Sequence, residues 1–412
     1  MSEYYKPRLR FFESAGGQRH IARDDHYLYR QADPIYRAAI IGTGTIGMEH
    51  MRVAALLGRI RVHGIYDASA HSMEVASEEY RRYSDDTLVR YQCVEDVCRD
   101  ADVDVIFICT PNHTHIDVLR VVAQGGKALF LEKPMATTLE DAGAIATMAQ
   151  QYPSFIQVGL QYRFKAPYLE AYHEALERRV LGRLHSVAMR EFRPPFLDKV
   201  AQWNKFARYS GGTLIEKCCH YFDLINLFAG SRPRRVYAVG QQATNYKDFE
   251  YGGERSDIDD LTSTIIEYES GVHATFSLSM SAPNFYEDLT LCGSRGRLVA
   301  TESFDFQRSD KSEASITIEL GEHGPSRHTD LSYTDLVETS GHHGGTFFEH
   351  VALADRLDGK PSAAATPLQG LWSVVVAAAA QASIDSGNPV EIEALIESHQ
   401  LGDLLASEQG ID

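Results

Sequence analysis

Short apolar runs alternate with helical stretches between residues 37 and 165, and this alternation restricts the fold more than any other feature. The runs are AAII (38–41), RVHGIYD (61–67), VDVIFICTP (103–111), ALFLEKP (128–134) and FIQVGLQYRF (155–164). The third run is almost continuous in β-branched and apolar residues, as expected for a strand buried on both faces. Strands that alternate with helices form βαβ units, so a doubly wound parallel α/β sheet is predicted here.

After residue 165 the pattern changes to strands joined by short turns. The predicted strands are LHSVAMREF (184–192), RRVYAVGQQAT (234–244), DLTSTIIEYE (260–269), VHATFSLSM (272–280) and EDLTLCGSRGRLVA (287–300), and the predicted helices are 169–180, 346–358 and 367–386. Turns such as Ser270-Gly271 favour a large, open and mostly antiparallel sheet. We therefore expect an N-terminal arm (1–36), a parallel α/β domain (37–165) and an α+β domain (166–412) whose last helix packs back on the first domain.

Composition limits the kinds of partner and compartment. A chain of 412 residues is too long for one ordinary core, so two domains are expected. The net charge of −17 argues against a nucleic-acid partner. No uninterrupted apolar run approaches the roughly 18–20 residues of a membrane helix, and the N-terminus lacks the apolar segment of a signal peptide. We expect a cytoplasmic protein with no membrane partner.

The cysteines do not predict a metal site. Cys218, Cys219 and His220 are consecutive, and consecutive residues point about 100° apart on a helix, so they cannot easily share one ion. None of the six cysteines has paired C-x-x-C spacing. Reduced, buried thiols are the better interpretation, and no metal is expected.

A glycine-rich turn, GTGTIG (42–47), follows the first predicted strand and opens a helix. In that context Gly42 permits the tight turn, Gly44 lets a pyrophosphate approach the backbone, and Gly47 allows close packing of helix on strand. Thr45 and Ile46 complete the candidate phosphate-binding segment. Alone, the pattern also fits an ordinary tight loop, but the strand before it and the helix after it favour a dinucleotide site.

Asp67, at the end of the second predicted strand, indicates which dinucleotide binds. A carboxylate there accepts hydrogen bonds from the ribose hydroxyls and repels a 2′-phosphate. The next two residues, Ala68 and Ser69, include no arginine that would bind that phosphate. NAD is therefore predicted rather than NADP.

Two polar segments lie at the carboxyl ends of predicted parallel strands, where ligands bind in open α/β sheets. They are TPNHTH (110–115) and EKP (132–134). Pro134 is a candidate for a cis peptide bond with Lys133, which would fix the direction of the lysine side chain. Taken alone, Lys133 would more often be a surface lysine than a catalytic one.

The segment SGGTLIEKCCHYFDLINLFAG (210–230) predicts a helix with a polar stripe. Thr213-x-x-Glu216 forms a capping box, which predicts that the helix starts there. Glu216, His220 and Asp223 then fall at i, i+4 and i+7 on one face of a mostly apolar helix. Such a stripe must face partners or a cleft, since unsatisfied burial is costly. Two alternatives are that Glu216 only caps the helix and that Asp223 only anchors a neighbouring loop.

With GTGTIG, TPNHTH, EKP, QYRF and GGTLIEKCCH in this order, the chain resembles the Gfo/Idh/MocA oxidoreductase family over roughly residues 37–395. The resemblance implies an N-terminal Rossmann domain that holds NAD(P) and a C-terminal α/β domain whose open sheet mediates oligomers. A homodimer or homotetramer is expected. It also implies oxidation or reduction of a hydroxyl on a carbohydrate-like small molecule: a sugar, sugar acid or polyol.

The resemblance assigns roles to particular residues. Lys133 matches the family's catalytic lysine, and His220 matches its helix histidine. Glu216 stands where many members carry an aspartate, and this departure puts its reach in question. The other cofactor-binding positions are Thr110, Pro111, Asn112, His115 and Glu132. A lysine beside the nicotinamide can polarise the substrate oxygen and have a lowered pKa, so either Lys133 or His220 could be the base.

Three further features concern the substrate. Arg163, in QYRF, matches an arginine beside the family's pocket, with a structural salt bridge as the alternative. From Arg190 to Lys217 there are six basic and three acidic residues, which indicates either a solvated loop or recognition of an anionic substrate. Candidate substrate-binding residues from these segments are Arg163, Arg193, Lys199 and Trp203.

The segment SGHHGGTFFEH (340–350) adds His343 as a candidate substrate-binding residue. A histidine-glycine loop at this place resembles that of family members that oxidise a glycoside transiently and then eliminate its aglycone. The alternative function is therefore an NAD-dependent redox glycoside hydrolase. A non-catalytic dinucleotide sensor is a remote alternative, because such a protein would be expected to lose the lysine or the histidine.

Overall fold

A computed structural model describes residues 36–305, 307 and 312–406. Six parallel strands form the first sheet, in the order β3-β2-β1-β4-β5-β6. The strands are β1 (Tyr36–Ile41), β2 (Ile60–Tyr66), β3 (Val89–Arg90), β4 (Val105–Ile108), β5 (Ala128–Glu132) and β6 (Ile156–Gly159). This is the strand order of dinucleotide-binding doubly wound sheets, so the predicted fold class is confirmed. The predicted arm lies outside the described residues, apart from Tyr36.

The helices of this layer are α1 (Thr45–Leu57), α2 (Ala70–Tyr80), α3 (Val94–Arg99), α4 (His115–Val122) and α5 (Leu139–Gln151). Alternate residues of β4 enter different cores. Ile106 and Ile108 pack in one cluster, while Val105 and Phe107 pack in another. The strand is thus buried on both faces, which explains its continuous apolar run.

The second sheet has nine strands in the order β16-β15-β14-β13-β7-β12-β11-β8-β17, with a separate β9–β10 hairpin. The strands are β7 (Leu184–Phe192), β8 (Pro233–Gln241), β9 (Glu250–Tyr251), β10 (Glu254–Arg255), β11 (Leu261–Tyr268), β12 (His273–Ser279), β13 (Phe285–Gly293), β14 (Gly296–Phe304), β15 (Glu313–Glu319), β16 (Arg327–Leu331) and β17 (Val390–Glu391). Only the β7–β12 pair is parallel in this part of the chain as described, so the mostly antiparallel sheet is confirmed.

The remaining helices are α6 (Ala166–Tyr172), α7 (Ala207–Ser210), α8 (Thr213–Glu216), α9 (Cys219–Ala229), α10 (Asp335–Ser340), α11 (Gly345–Leu357), α12 (Pro367–Ser386), α13 (Ile392–Ser398) and α14 (Gly402–Ala406). The α12 helix packs against β8 and α9 on one side and against α5 on the other, so it joins the two sheets as predicted. Its length and hydropathy would suffice to cross a membrane, but 67% of its apolar window is buried inside the fold.

The predicted capping box at Thr213 is wrong. The Thr213 hydroxyl donates to the backbone oxygen of Asp259, and no side chain caps α8. The α8 helix ends at Glu216, and α9 begins only at Cys219. Glu216 and His220 therefore lie on two helices rather than on one continuous stripe. The Glu216 carboxylate contacts Asn112 and Lys133 rather than its own helix.

Candidate active site

The glycine turn has the geometry of a phosphate-binding segment. Gly42 has φ of 92°, and a Cβ atom there would lie 2.6 Å from the carbonyl carbon of Cys109. A Cβ at Gly47 would lie 2.0 Å from the Gly42 oxygen, so the helix can approach the turn only with glycine. The α1 helix, described in full, has neither a side-chain cap nor an acidic residue in its first turn. Its free N–H groups can therefore receive a pyrophosphate.

Asp67 is held beside this turn at the end of β2. Its Oδ2 accepts a hydrogen bond from the Thr43 backbone N–H at 2.8 Å, and its Oδ1 accepts one from the Ser69 N–H at 2.8 Å. The carboxylate is half-buried, while Gly44 and Thr45 are exposed and Ile46 is half-buried. The residues present thus fit a dinucleotide whose adenosine ribose carries no 2′-phosphate.

Lys133 and Glu216 come together between the two sheets. The Lys133 Nζ donates to the Glu216 backbone oxygen at 2.9 Å and lies 3.8 Å from Glu216 Oε1. The Lys133–Pro134 peptide bond is cis, as predicted. Burial lowers the pKa of Lys133, but the surrounding negative charges, Glu216 foremost, together outweigh burial, so the pKa lies above its usual value. The expected lowering of this pKa is therefore wrong, and the ammonium is charged at neutral pH.

The contact with Asn112 shows where the longer Glu216 side chain reaches. The Asn112 Nδ2 donates to Glu216 Oε2, and also lies 3.4 Å from the Ser210 backbone oxygen. Both Asn112 and Glu216 are buried. One Glu216 oxygen thus reaches the loop after β4, and the other faces Lys133. Glu216 therefore contacts both of the polar segments predicted at the strand ends, TPNHTH and EKP.

His220 is a neutral imidazole on the inner side of α9. Its ring stacks on Tyr162 with centroids 4.0 Å apart and 13° between planes. No described residue hydrogen-bonds to either ring nitrogen, and Nδ1 is fully buried. Burial, together with the charges of Lys133 and Lys217, holds the pKa of His220 well below its usual value. The ring is therefore unprotonated at neutral pH and can accept a proton.

His115 and Glu132, predicted to bind cofactor, form hydrogen bonds with protein groups. The His115 Nδ1 lies 3.0 Å from the Pro134 oxygen, and Nε2 lies 3.0 Å from the Thr110 oxygen. Glu132 accepts from the Lys133 N–H at 3.0 Å and pairs with His50 at 2.9 Å. These two buried side chains hold the strand ends and the lysine backbone in place.

A cavity of about 330 Å³ lies beside Tyr162. Glu287 and Glu302 line it, and Glu191 lies beside Glu287 on the neighbouring strand; we call these three residues the glutamate row. Glu287 on β13 is directly paired with Glu191 on β7 and with Glu302 on β14. Like charges in direct register destabilise a sheet, so nearby cations are needed.

Three buried cations neutralise the glutamate row. Lys165 donates to Glu287 at 2.6 Å and also forms an ion pair with Glu302. Lys217 and Arg193 both pair with Glu191, at 3.2 and 3.5 Å. Sequence reasoning missed the row and Lys165; the available signal was a glutamate at an inward-facing position in each of three strands. The cavity thus presents many hydrogen-bonding side chains, together with apolar surface from Leu197, Phe285 and Phe304.

His343 lines this cavity, as predicted, and His342 does too. The Nδ1 atom of His343 lies 3.1 Å from Glu302 Oε1, and that of His342 lies 2.7 Å from Glu49 Oε1. Their φ angles of 54° and 41° are rarely adopted by residues other than glycine. Burial lowers the pKa of His343, but Glu302 outweighs it, so this pKa is raised. Strained backbone held by side-chain contacts is typical of binding sites.

Arg163 does not line the cavity. Its Nε and Nη2 donate to the two oxygens of Asp223 at 2.7 and 2.5 Å, and Nη1 donates to Gln369 Oε1 at 3.1 Å. The guanidinium is buried, and all three nitrogens have partners. The substrate-binding assignment of Arg163 is therefore corrected to the structural ion pair given as its alternative, and Asp223 is its partner.

Most of the basic stretch is also paired away from the cavity. The pairs are Arg190 with Asp288, Lys205 with Asp198, and Arg208 with Glu254. Lys199 and Trp203, predicted to bind substrate, are half-buried and are not among the cavity-lining residues. Of this stretch, Arg193 and Lys217 line the cavity. Lys133 and His220 are not among the lining residues, but Tyr162, which lines the cavity, is stacked on His220.

Comparison with known proteins identifies both halves of the chain. Residues 36–160 match the oxidoreductase family, NAD-binding Rossmann fold, and residues 173–392 match the oxidoreductase family, C-terminal alpha/beta domain. An uncharacterized oxidoreductase of Bacillus subtilis, YrbE, is 26% identical over 86% of this chain and 96% of its own length. Inositol 2-dehydrogenase of Rhizobium meliloti is 26% identical over 64% and 75%.

Among solved structures, levoglucosan dehydrogenase in complex with NADH and levoglucosan has a TM-score of 0.71 at 18% identity, covering 87% of this chain and 99% of that one. This likeness shows the shared fold. The two matched domains account for most of the sequence and confirm NAD as the cofactor. The chain therefore belongs to the Gfo/Idh/MocA oxidoreductase family.

Proposed function

We propose that this NAD-dependent oxidoreductase oxidises a hydroxyl group of a sugar, sugar acid or polyol. The observation that carries the proposal is the position of Lys133, Glu216 and His220 beside a cavity rich in hydrogen-bonding groups. At neutral pH Lys133 is protonated and His220 is unprotonated, which are the states that a hydrogen-bond donor and a proton acceptor need. The inositol and levoglucosan dehydrogenases among its relatives and neighbours act on such compounds by name.

The chain's own residues divide the proton chemistry. When bound, NAD supplies the acceptor for the hydride. The neutral His220 ring takes the hydroxyl proton, because it is unprotonated and its nitrogens have no described partner. The Lys133 ammonium donates a hydrogen bond to the same oxygen as negative charge develops there. Glu216 orients the ammonium through the contacts at 2.9 and 3.8 Å.

The two histidine–glutamate contacts favour a second candidate, the redox glycoside hydrolase. Pairing at Nδ1 leaves Nε2 of His343 as the base for a second proton. After transient oxidation of a neighbouring hydroxyl, that base would remove the proton next to the new carbonyl, and the aglycone would leave with the electron pair of its C–O bond and take up a proton. Water would then add to the resulting enone at the carbon that the aglycone left, and NAD, when bound, would supply the hydride chemistry at both ends of the route. This route gives no net NADH.

A parallel assay separates the two candidates. Purified enzyme with NAD is offered sugars, sugar acids, polyols and aryl glycosides, while NADH absorbance and aglycone release are followed together. Net NADH with a sugar or polyol is the expected result. Aglycone release with catalytic NAD and no net NADH would establish the glycosidase, and NAD binding without either product would leave a dinucleotide sensor.

Substitution of Asp67 by alanine should weaken NAD binding by roughly 1–2 kcal/mol, the scale of a charge-assisted hydrogen bond. Discrimination against NADP should fall at the same time, since the repulsive carboxylate is gone. Calorimetric titration with both dinucleotides measures the two effects. Asp86→Ala, on an exposed pair with Arg61, is the control. Tighter binding of NADP by the wild-type protein would contradict the assignment.

The open face of the second sheet supports a homodimer or homotetramer. Tyr237, Val239 and Ile265 expose 38%, 53% and 50% of their surface there, and Tyr237 is directly paired with Ile265. A contiguous apolar face of this kind is typical of subunit interfaces.

We also propose that the enzyme is cytoplasmic, in keeping with its six free cysteines.

Substitution of both Tyr237 and Ile265 by lysine should convert the oligomer to monomers, because like charges then face each other at the interface. Sedimentation at micromolar concentration measures the change. Val200→Lys, at a residue 87% exposed and outside this sheet, should leave the oligomer intact. A monomeric wild-type protein would refute the interface.

A further inference from the structure

One end of the cavity carries more positive than negative charge. Arg193 and Lys217 are buried there, with 8% and 7% exposure. Among the described residues, Glu191 is the one carboxylate within ion-pair distance of either, at 3.5 and 3.2 Å. At this end of an otherwise neutral cluster, two buried cations share one carboxylate, which leaves a local excess of one positive charge. A bound anion would compensate that local charge.

The Arg193 guanidinium is fixed with one side free. Its Nε donates to the Pro194 oxygen at 3.0 Å, and Nη1 faces Glu191. Phe196 and Phe285 hold the group by cation–π contact, at 5.3 and 5.1 Å from their ring centroids. Its Nη2 has no hydrogen-bond partner in the described parts of the chain, and Arg193 lines the cavity. A fixed guanidinium with free donors is suited to an oxyanion.

Lys217 adds a second donor next to the reaction centre. Its Nζ donates to the Tyr162 hydroxyl at 2.5 Å, and the Tyr162 ring stacks on His220 at 4.0 Å. Burial lowers the pKa of Lys217, and the positive charge of Arg193 adds to the lowering. The positive end of the cavity is therefore adjacent to the histidine that takes the substrate proton.

The other end has the opposite balance. Lys165 lies between Glu287 and Glu302, so two carboxylates share one lysine, and His343 contacts Glu302 at 3.1 Å. Carboxylates of this kind accept hydrogen bonds from substrate hydroxyls. The cavity is thus polarised, with an oxyanion end beside Tyr162 and a hydroxyl end at the histidine loop.

We propose that Arg193 and Lys217 bind a carboxylate of the substrate, so that the substrate is a sugar acid or a similar polyhydroxylated acid. The single excess positive charge matches a carboxylate better than a phosphate, which carries nearly two negative charges. The assignment names the substrate class for the proposed dehydrogenase and therefore rests on that function.

Matched pairs of neutral and acidic sugars test the subsite. The wild-type enzyme with NAD is assayed with glucose and glucuronate, galactose and galacturonate, and glucose 6-phosphate. We expect at least one uronate to exceed its neutral partner in kcat/KM by at least ~10-fold. Arg193→Gln should reduce kcat/KM for the acid by ~10–100-fold, the scale of hydrogen bonds to a charged group, and should reduce it less for the neutral sugar. Arg208→Gln, exposed and outside the cavity, is the matched control.

A binding measurement separates failure of the subsite from failure of the proposed function. The enzyme with NADH is titrated calorimetrically with glucuronate, galacturonate, glucose 6-phosphate and glucose. Binding of a uronate that is lost in Arg193→Gln and weakened in Arg193→Lys supports the subsite even without turnover. Equal or better binding and turnover of neutral sugars, or no binding of either uronate, would overturn it. Preference for the phosphate ester would replace the carboxylate with a phosphate group.

Discussion

Replacing Lys133 with methionine should lower kcat at least ~100-fold, and replacing His220 with alanine should do the same, because each removes a positioned proton donor or acceptor. The Kd for NAD should stay nearly unchanged, since the pyrophosphate turn and Asp67 are separate from both side chains. Steady-state kinetics with the best substrate and NADH fluorescence titration measure the two quantities.

The two variants should also differ in a way that assigns their roles. Lys133 is charged and His220 neutral at neutral pH, so loss of the histidine removes the base and loss of the lysine removes the stabilising charge. Lys133→Arg should therefore retain more activity than Lys133→Met. Lys247→Met, at an exposed lysine, is the control variant and should leave kcat unchanged. Unaltered kcat in either site variant would remove that residue from the mechanism.

Local patterns predicted the first sheet and one edge of the site. The buried strands show continuous apolar runs, because both faces of β4 enter cores. The glycine turn depends on backbone clearances within a short segment, at Gly42 and Gly47. The EKP motif likewise carries its lysine and the cis bond in consecutive residues. Features that depend on neighbouring residues were readable from the sequence.

Features that depend on register between distant strands were not readable. The glutamate row requires the pairing of Glu191 with Glu287 and of Glu287 with Glu302, which no local pattern specifies. The Glu216 carboxylate contacts Asn112, 104 residues away, rather than capping its own helix, and α8 ends at Glu216 before α9 begins at Cys219. A capping-box pattern in the sequence was therefore overridden by a tertiary contact.

The basic stretch shows the same limit for charge. Its excess of cations predicted a site for an anionic substrate that includes Arg193 and Lys199, with Trp203 interleaved in the sequence. Tertiary ion pairs neutralise Arg190, Lys205 and Arg208, and leave Arg193 and Lys217 at the cavity. Counting charges along the chain could not identify which cations remain available to a ligand.

Asp223→Ala should lower the free energy of unfolding by about 3–5 kcal/mol, because it leaves the Arg163 guanidinium buried without its bidentate partner. Urea denaturation followed by circular dichroism measures the change. The exposed pair Arg120–Asp117 offers a matched control, and Asp117→Ala should cost no more than about 1 kcal/mol. A cost for Asp223→Ala as small as that of the control would mean that the ion pair does not hold α9 against the segment around Arg163.

The double variant Arg163→Met/Asp223→Leu separates a structural role from a substrate role. Apolar residues of similar volume can replace a buried ion pair without loss of stability, so this variant should recover most of the stability lost in Asp223→Ala. Its KM should then remain close to the wild-type value, because the ion pair lies outside the cavity. A stable double variant with a KM raised at least ~10-fold would return Arg163 to the substrate site, since a lost charge-assisted contact to substrate is worth that much.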